Sequence, residues 1–225
     1  MTDSVKLIKV MESIQADNEQ HAQDLRQKLK ASKTLLINIM SSPGAGKTSL
    51  LLQTTSRLKD LYNMAVIEAD IDSTVDAERL AHSGVEAIQL RTGGFCHLDV
   101  PMVQQGLDSL DTDVLDLIFI ENVGNLVCPA EFDTGAALDV MILSVPEGDD
   151  KPLKYPLMFS KCVALIINKI DYLGTSLTDF DLKLLEKRVR KLNGGIRIFP
   201  LSSRTGEGIE AWTDWLANKA ADHNK

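Results

Sequence analysis

The sequence predicts an α/β fold, with a mostly parallel sheet of about seven strands flanked by helices. Seven short apolar runs recur between residues 35 and 200, and amphipathic stretches separate most of them. Strands that are apolar throughout, with helices between them, are the signature of parallel βαβ crossovers whose sheet is covered on both faces. A Gly-rich turn directly after the first run, opening into a helix, places the chemistry at the carboxyl ends of the strands, where such sheets bind ligands.

Residues 1–32 contain no Gly or Pro, and Leu7, Met11, Ile14, Leu25 and Leu29 recur at near-helical spacing. They predict an amphipathic helix, either packed on the body or serving as an arm for a partner. A single domain follows over residues 33–225. Its strands are expected at 35–39, 65–69, 85–90, 115–120, 140–145, 163–167 and 196–200, and its helices at 47–61, 75–82, 100–110, 180–192 and 209–221.

Composition narrows the class. The chain has 225 residues, 44% hydrophobic and 25% charged, enough for a core without disulfide or metal support. Its formal charge of −8 argues against binding nucleic-acid phosphates or anionic lipid through its overall field. Three cysteines are too few for a disulfide framework. The first residues lack the apolar stretch of a signal peptide, and no run approaches the roughly 18 residues of a membrane span. A cytoplasmic location is expected.

The turn after the first run reads Ser41-Ser42-Pro43-Gly44-Ala45-Gly46-Lys47-Thr48, the end of a phosphate-binding P-loop in strand–loop–helix context, with Ser41 where the motif usually carries its first glycine. Backbone N–H groups and the helix amino terminus favour phosphate. Nucleotide contacts are expected from Gly44, Ala45, Gly46, Lys47, Thr48 and Ser49, with Lys47 on the β/γ oxygens and Thr48 on Mg²⁺. After the sixth run stands Asn168-Lys169-Ile170-Asp171. A carboxylate at Asp171 can accept both guanine N1–H and N2–H₂, which adenine does not supply, so GTP and GDP are expected over ATP. Lys169 would lie along the ring, and Ser202 and Ser203 occupy the place from which a backbone N–H meets guanine O6.

The fourth run ends in Glu121-Asn122-Val123-Gly124, a glutamate version of the D-x-x-G switch, in which Glu121 reaches Mg²⁺ and the Gly124 N–H senses the γ-phosphate. Asp70, at the tip of the second strand, is the first expectation for completing the Mg²⁺ shell or positioning water, and Asp76 the second. Lys47, Asp70, Asp76 and Glu121 are thus the expected catalytic set. Cys96-His97 follow the third run, and Cys128 lies four residues past Gly124. Thiolate with imidazole suits Zn²⁺ or Ni²⁺ rather than Mg²⁺, and ligands this close to a switch would move with the γ-phosphate. Cys162 opens an apolar run and reads as a core residue; His21, His82 and His223 read as surface.

SSPGAGKT, CHLDVP, IENVGNLVCPAEFD, EGDDKPLKYP and NKID together resemble the hydrogenase nickel-incorporation GTPases of the HypB family, over residues 33–225. The resemblance implies a dimerising P-loop GTPase of the signal-recognition, MinD and BioD type, coupling GTP hydrolysis to nickel delivery for [NiFe]-hydrogenase. It implies Cys96, His97 and Cys128 as metal ligands at a dimer interface, holding Ni²⁺ or Zn²⁺. The implied partners are a second copy of the chain, a HypA-type nickel chaperone and the hydrogenase large subunit. The amino-terminal cysteine motif and histidine-rich tract of some relatives are missing from residues 1–32, so nickel storage is not expected. The urease accessory GTPase, expected to carry Cys-Pro-His, fits Cys96-His97 less well; a regulatory GTP switch without metal transfer is the other alternative.

Overall fold

The computed structural model describes residues 10–176 and 178–225, with side chains from residue 17 onward. Helix α1 (Val10–Ala31) leads into β1 (Leu35–Ser41), α2 (Lys47–Leu58), β2 (Met64–Asp70), α3 (Val75–His82), β3 (Glu86–Arg91), α4 (Val100–Leu107) and β4 (Leu117–Glu121). The short α5 (Cys128–Glu131) precedes β5 (Leu138–Ser144), followed by α6 (Lys151–Lys154), α7 (Pro156–Lys161), β6 (Ala164–Asn168), α8 (Leu182–Leu192), β7 (Arg197–Pro200) and α9 (Ile209–His223). All seven expected strands form. Their pairings are all parallel, in the order β3-β2-β4-β1-β5-β6-β7.

β1 is buried along its whole length because it lies in the middle of the sheet and both faces are covered. Leu35, Ile37 and Ile39 face one layer with Leu50, Leu51 and Leu58 of α2 and Trp212 and Leu216 of α9. Leu36 faces the other, with Leu25 and Leu29 of α1 and Val103 and Leu107 of α4. Beyond β5 that second face is continued by Phe159 of α7 and Leu185 and Val189 of α8. Trp212 is fully buried, and its indole N–H donates to Thr54 Oγ1 at 3.0 Å, pinning α9 to α2.

Residues 25 and 29 of the expected amino-terminal helix are in the core, so α1 packs on the body over this stretch; Leu7 lies outside the described residues, and Met11 and Ile14 outside the described side chains. Helices α2 and α4 stop three residues before the expected 61 and 110, because each final turn tightens: Leu61 N–H donates to Leu58 O and Leu110 N–H to Leu107 O. β4 starts at Leu117 rather than 115, and just before it the Asp116 carboxylate accepts the Asn63 N–H. Among the described residues no helix is long and apolar enough to cross a membrane.

Candidate functional site

The loop from Ser42 to Gly46 leaves the carboxyl end of β1 between β4 and β5 and enters α2. Gly46 has a left-handed backbone (φ 102°), and a Cβ there would lie 2.4 Å from Asn168 Nδ2, so only glycine permits this close approach of P-loop and base loop. Asn168 Nδ2 donates to Ala45 O at 2.9 Å, and Asn168 Oδ1 accepts from the N–H groups of Lys169 and Ser203. Lys169, itself left-handed at φ 62°, sends Nζ to Gly44 O at 2.7 Å. Ser202 Oγ donates to Asp171 Oδ1 at 2.6 Å, holding the carboxylate in place. The N–H groups of Ser202 and Ser203, expected at guanine O6, are engaged by Glu207 O and Asn168 Oδ1. Ser41, the departure from the glycine pattern, is buried, and its hydroxyl accepts from Lys47 Nζ at 3.3 Å. Ser49 is half-buried in the first turn of α2.

Parallel pairing of β2 with β4 sets Glu68 directly across from Glu121. With Asp76 they form a cluster whose oxygens lie within 4.8 Å of one another. Thr48 Oγ1 donates to Glu121 Oε1 at 2.8 Å. Glu68 Oε2 and Glu121 Oε2 are buried without a partner, an environment that a divalent cation satisfies. Burial pushes Glu121 up to about 7, with the Lys47 ammonium and the Thr48 hydroxyl opposing. Burial, reinforced by the Glu121 charge, pushes Glu68 up to about 7.

Asp70, the first expectation, does not join the cluster although it lines the same cavity of about 250 Å³. Its Oδ1 accepts from the N–H groups of Asp72 and Ser73, which form the turn into α3, and these bonds hold its carboxyl below the usual range. Glu68, rather than Asp70, is the carboxylate of β2 that stands with Asp76 and Glu121. The sequence carried one clue to it, a carboxylate inside an otherwise apolar run.

Gly124 packs on the P-loop so closely that a Cβ would lie 2.9 Å from Pro43 Cγ and 3.0 Å from its nitrogen. Before it, Asn122 is fully buried and donates to Asn38 Oδ1 at 3.0 Å, while Asn38 donates to Asp139 Oδ1 at 2.8 Å. This polar chain through β1 fixes the start of the segment that runs from Glu121 to Gly124.

Cys96, His97 and Cys128 come together as expected, all three half-buried, with their sulfur and nitrogen atoms within 4.8 Å of one another and both cysteines free of a disulfide. The Cys96 and Cys128 Sγ atoms are 2.9 Å apart, and His97 Nδ1 is 3.8 Å from Cys96 Sγ. The hydrogen bond from Cys96, followed by burial, pushes the Cys128 thiol up; a cation in place of that proton relieves both effects. Burial lowers His97, favouring the neutral imidazole that ligates metals. Its ring stacks on Phe132 at 3.7 Å between centroids. Asn125, which sequence reasoning did not single out, donates to Cys96 O at 3.5 Å and accepts the Val127 N–H at 2.8 Å, so it touches both cysteine-bearing loops. Cys162 is fully buried in the core, and burial pushes its thiol well up. His21 and His82 are exposed and His223 half-buried.

The family described as "CobW/HypB/UreG, nucleotide-binding domain" matches residues 35–200, from the first residue of β1 to the last of β7. The hydrogenase maturation factor HypB of Rhizobium leguminosarum bv. viciae is 43% identical over 96% of this chain and 72% of its own. The chain belongs to the HypB family of hydrogenase maturation factors. Among solved structures, HypB from Helicobacter pylori in complex with nickel is 36% identical, with a TM-score of 0.86 over 93% of this chain and 97% of that one. HypB from Archaeoglobus fulgidus is 34% identical, with a TM-score of 0.84 over 91% and 99%. The matched residues include the P-loop, the carboxylates Glu68, Asp76 and Glu121, the group Cys96, His97 and Cys128, and Asn168 to Asp171; α1 and α9 lie outside them.

Proposed function

We propose that this protein is a GTP-hydrolysing metallochaperone that binds nickel and delivers it during [NiFe]-hydrogenase maturation. The observation that carries the reading is the segment from Glu121 to Cys128. It begins in the carboxylate cluster beside Thr48, crosses the P-loop at Gly124, and ends at a thiol 2.9 Å from Cys96. Movement of Gly124 as the γ-phosphate arrives or leaves is transmitted within a few residues to Asn125 and Cys128.

In this reading Lys47 and the backbone from Gly44 to Ser49 cradle the phosphates, and Asn168, Lys169 and Asp171 hold guanine. Thr48 and Glu121 hold Mg²⁺ with Glu68 and Asp76 beside them; the cation supplies charge neutralisation at the β- and γ-oxygens. Cys96, His97 and Cys128 carry Ni²⁺, with Zn²⁺ a competitor for the same donors. GTP favours a cytoplasmic homodimer that works with a HypA-type chaperone and the hydrogenase large subunit. Residues 33–225 form the GTPase domain, and the described amino-terminal helix α1 packs against it. Intrinsic turnover is slow, as in GTPases without a partner-supplied arginine.

The test is a Ni²⁺ titration of the Mg²⁺-loaded protein with GDP and with a non-hydrolysable GTP analogue. Different affinity or coordination in the two states is expected; identical values in both remove the coupling. Base choice is tested separately by Asp171→Asn. The amide no longer accepts from both guanine donors, so GTP binding is expected to weaken by about 10²-fold or more. An amide also matches the N1–H and C2 carbonyl of xanthine, so xanthosine nucleotides should gain what guanine loses. Competition against a fluorescent GDP reads both, and unchanged GTP affinity would refute the assignment.

A further inference from the structure

Helix α1 lies outside the strand–loop motifs of the nucleotide site, yet its residue Asn18 is buried, only 7% exposed. Its side chain reaches two distant segments at once. Asn18 Oδ1 accepts the Val100 N–H at 3.0 Å, and Asn18 Nδ2 donates to Asp133 O at 2.8 Å. Val100 opens α4 three residues past His97, and Asp133 follows α5 five residues past Cys128. The neighbour of Asp133 is Phe132, whose ring stacks on His97. The Val100 N–H is one of the donors that a helix start leaves without an internal partner; Asp99 caps Met102 instead, so Asn18 completes the cap from another helix. Around it, Ala22 and Leu25 are buried with Leu98, Val103 and Ala136, and Arg26 Nε donates to Ala136 O at 2.9 Å. Gly135 makes room for this packing, since a Cβ there would lie 2.6 Å from Leu25.

We propose that α1 is part of the metal centre and that Asn18 is its positioning residue, one amide setting the spacing between the loop that carries Cys96 and His97 and the loop that carries Cys128. The inference rests on the reading of those three residues as nickel ligands. Thiol and imidazole donors from two separate loops bind a cation tightly only if the loops are held at a fixed separation, and groups that orient ligands without touching the metal set affinity in this way.

The experiment is Ni²⁺ titration of the full chain, read by affinity and by the thiolate-to-nickel charge-transfer absorption. Asn18→Ala is expected to weaken Ni²⁺ about tenfold and to shift the absorption. Thr54→Val, which removes the hydrogen bond to Trp212 between α2 and α9, is expected to lose comparable thermal stability with wild-type nickel affinity and spectrum. A shift in nickel binding with Thr54→Val as large as with Asn18→Ala would show general destabilisation and overturn the proposal. So would wild-type affinity and spectrum in Asn18→Ala. If Asn18→Ala melts too low for titration, Asn18→Ser, whose single hydroxyl serves one partner at a time, is measured against the same criteria. The double variant C96S/C128S separates the two levels. Wild-type affinity there overturns the ligand reading itself, whereas wild-type affinity in Asn18→Ala alone overturns only the role of α1.

Discussion

Replacing Glu121 with Gln is expected to stabilise the nucleotide-free protein at pH 8 while cutting GTP turnover by about a hundredfold or more. The carboxyl group is 3% exposed, and burial raises it from the ordinary 4.5 to about 7. Between those values the unfolded chain has released this proton and the folded chain still holds it. The folded state therefore binds more protons, and its stability, complete below pH 4.5, falls as the pH rises through about 7. At about 1.4 kcal/mol per pKa unit, the ionised carboxylate costs the fold about 3 kcal/mol above that range. Glu68 acts in the same direction, and because the Glu121 charge raises Glu68 the two contributions do not simply add.

Glutamine keeps the shape and an oxygen for the Thr48 hydroxyl but removes the charge. Urea unfolding at pH 5.5 and 8.0, with and without Mg²⁺ and GDP, checks this. The wild-type apoprotein should lose stability between the two pH values and regain it with Mg²⁺, which replaces the proton. The variant should show a flatter profile and little response to Mg²⁺. Equal stability of the two apoproteins at pH 8 would remove buried charge as the cause.

The chain announced much of this site because its parts are local. A P-loop is one strand, one turn and one helix start, and Asn168 to Asp171 hang from a single strand end. Their residue types alone report what they bind. Cys96, His97 and Cys128 were legible for a related reason: each follows a strand that ends on the same edge of the sheet, so topology converges what sequence separates. Glu68 was passed over because its role depends on register. Only the pairing of β2 with β4 reveals that it faces Glu121, leaving Asp70 to the turn beyond. Asn18 was hidden more deeply, its partners standing 82 and 115 residues away. Helices α5, α6 and α7 were missed because four to six residues show no periodicity, and each carries proline in its first turn, where it reads as a break although it fits a helix start.

Serine substitution at each of the three cysteines is expected to give two opposite phenotypes. Cys96 and Cys128 are half-buried and free of any disulfide, their sulfurs 2.9 Å apart and joined by one hydrogen bond from Cys96. A hydroxyl there is a far poorer ligand for Ni²⁺ than a thiolate. Since disturbing a group merely adjacent to a metal ligand costs 10–100-fold, loss of a ligand in Cys128→Ser should weaken Ni²⁺ by about 10²-fold or more, roughly 3 kcal/mol. The thiolate-to-nickel absorption should fall with it, and GTP analogue should no longer alter metal binding, because the segment from Gly124 would move a side chain that holds nothing. Cys162 is fully buried among Met158, Phe159 and Leu185, so serine there places a hydroxyl where its sulfur packs against apolar groups. That change should cost about 1–3 kcal/mol of stability and leave nickel affinity and stoichiometry intact. Equilibrium dialysis of Ni²⁺ beside urea unfolding of all three variants distinguishes the classes. Retained nickel affinity in Cys128→Ser would exclude it from the ligand set, and a regulatory GTPase without metal transfer would then be the better account of the fold.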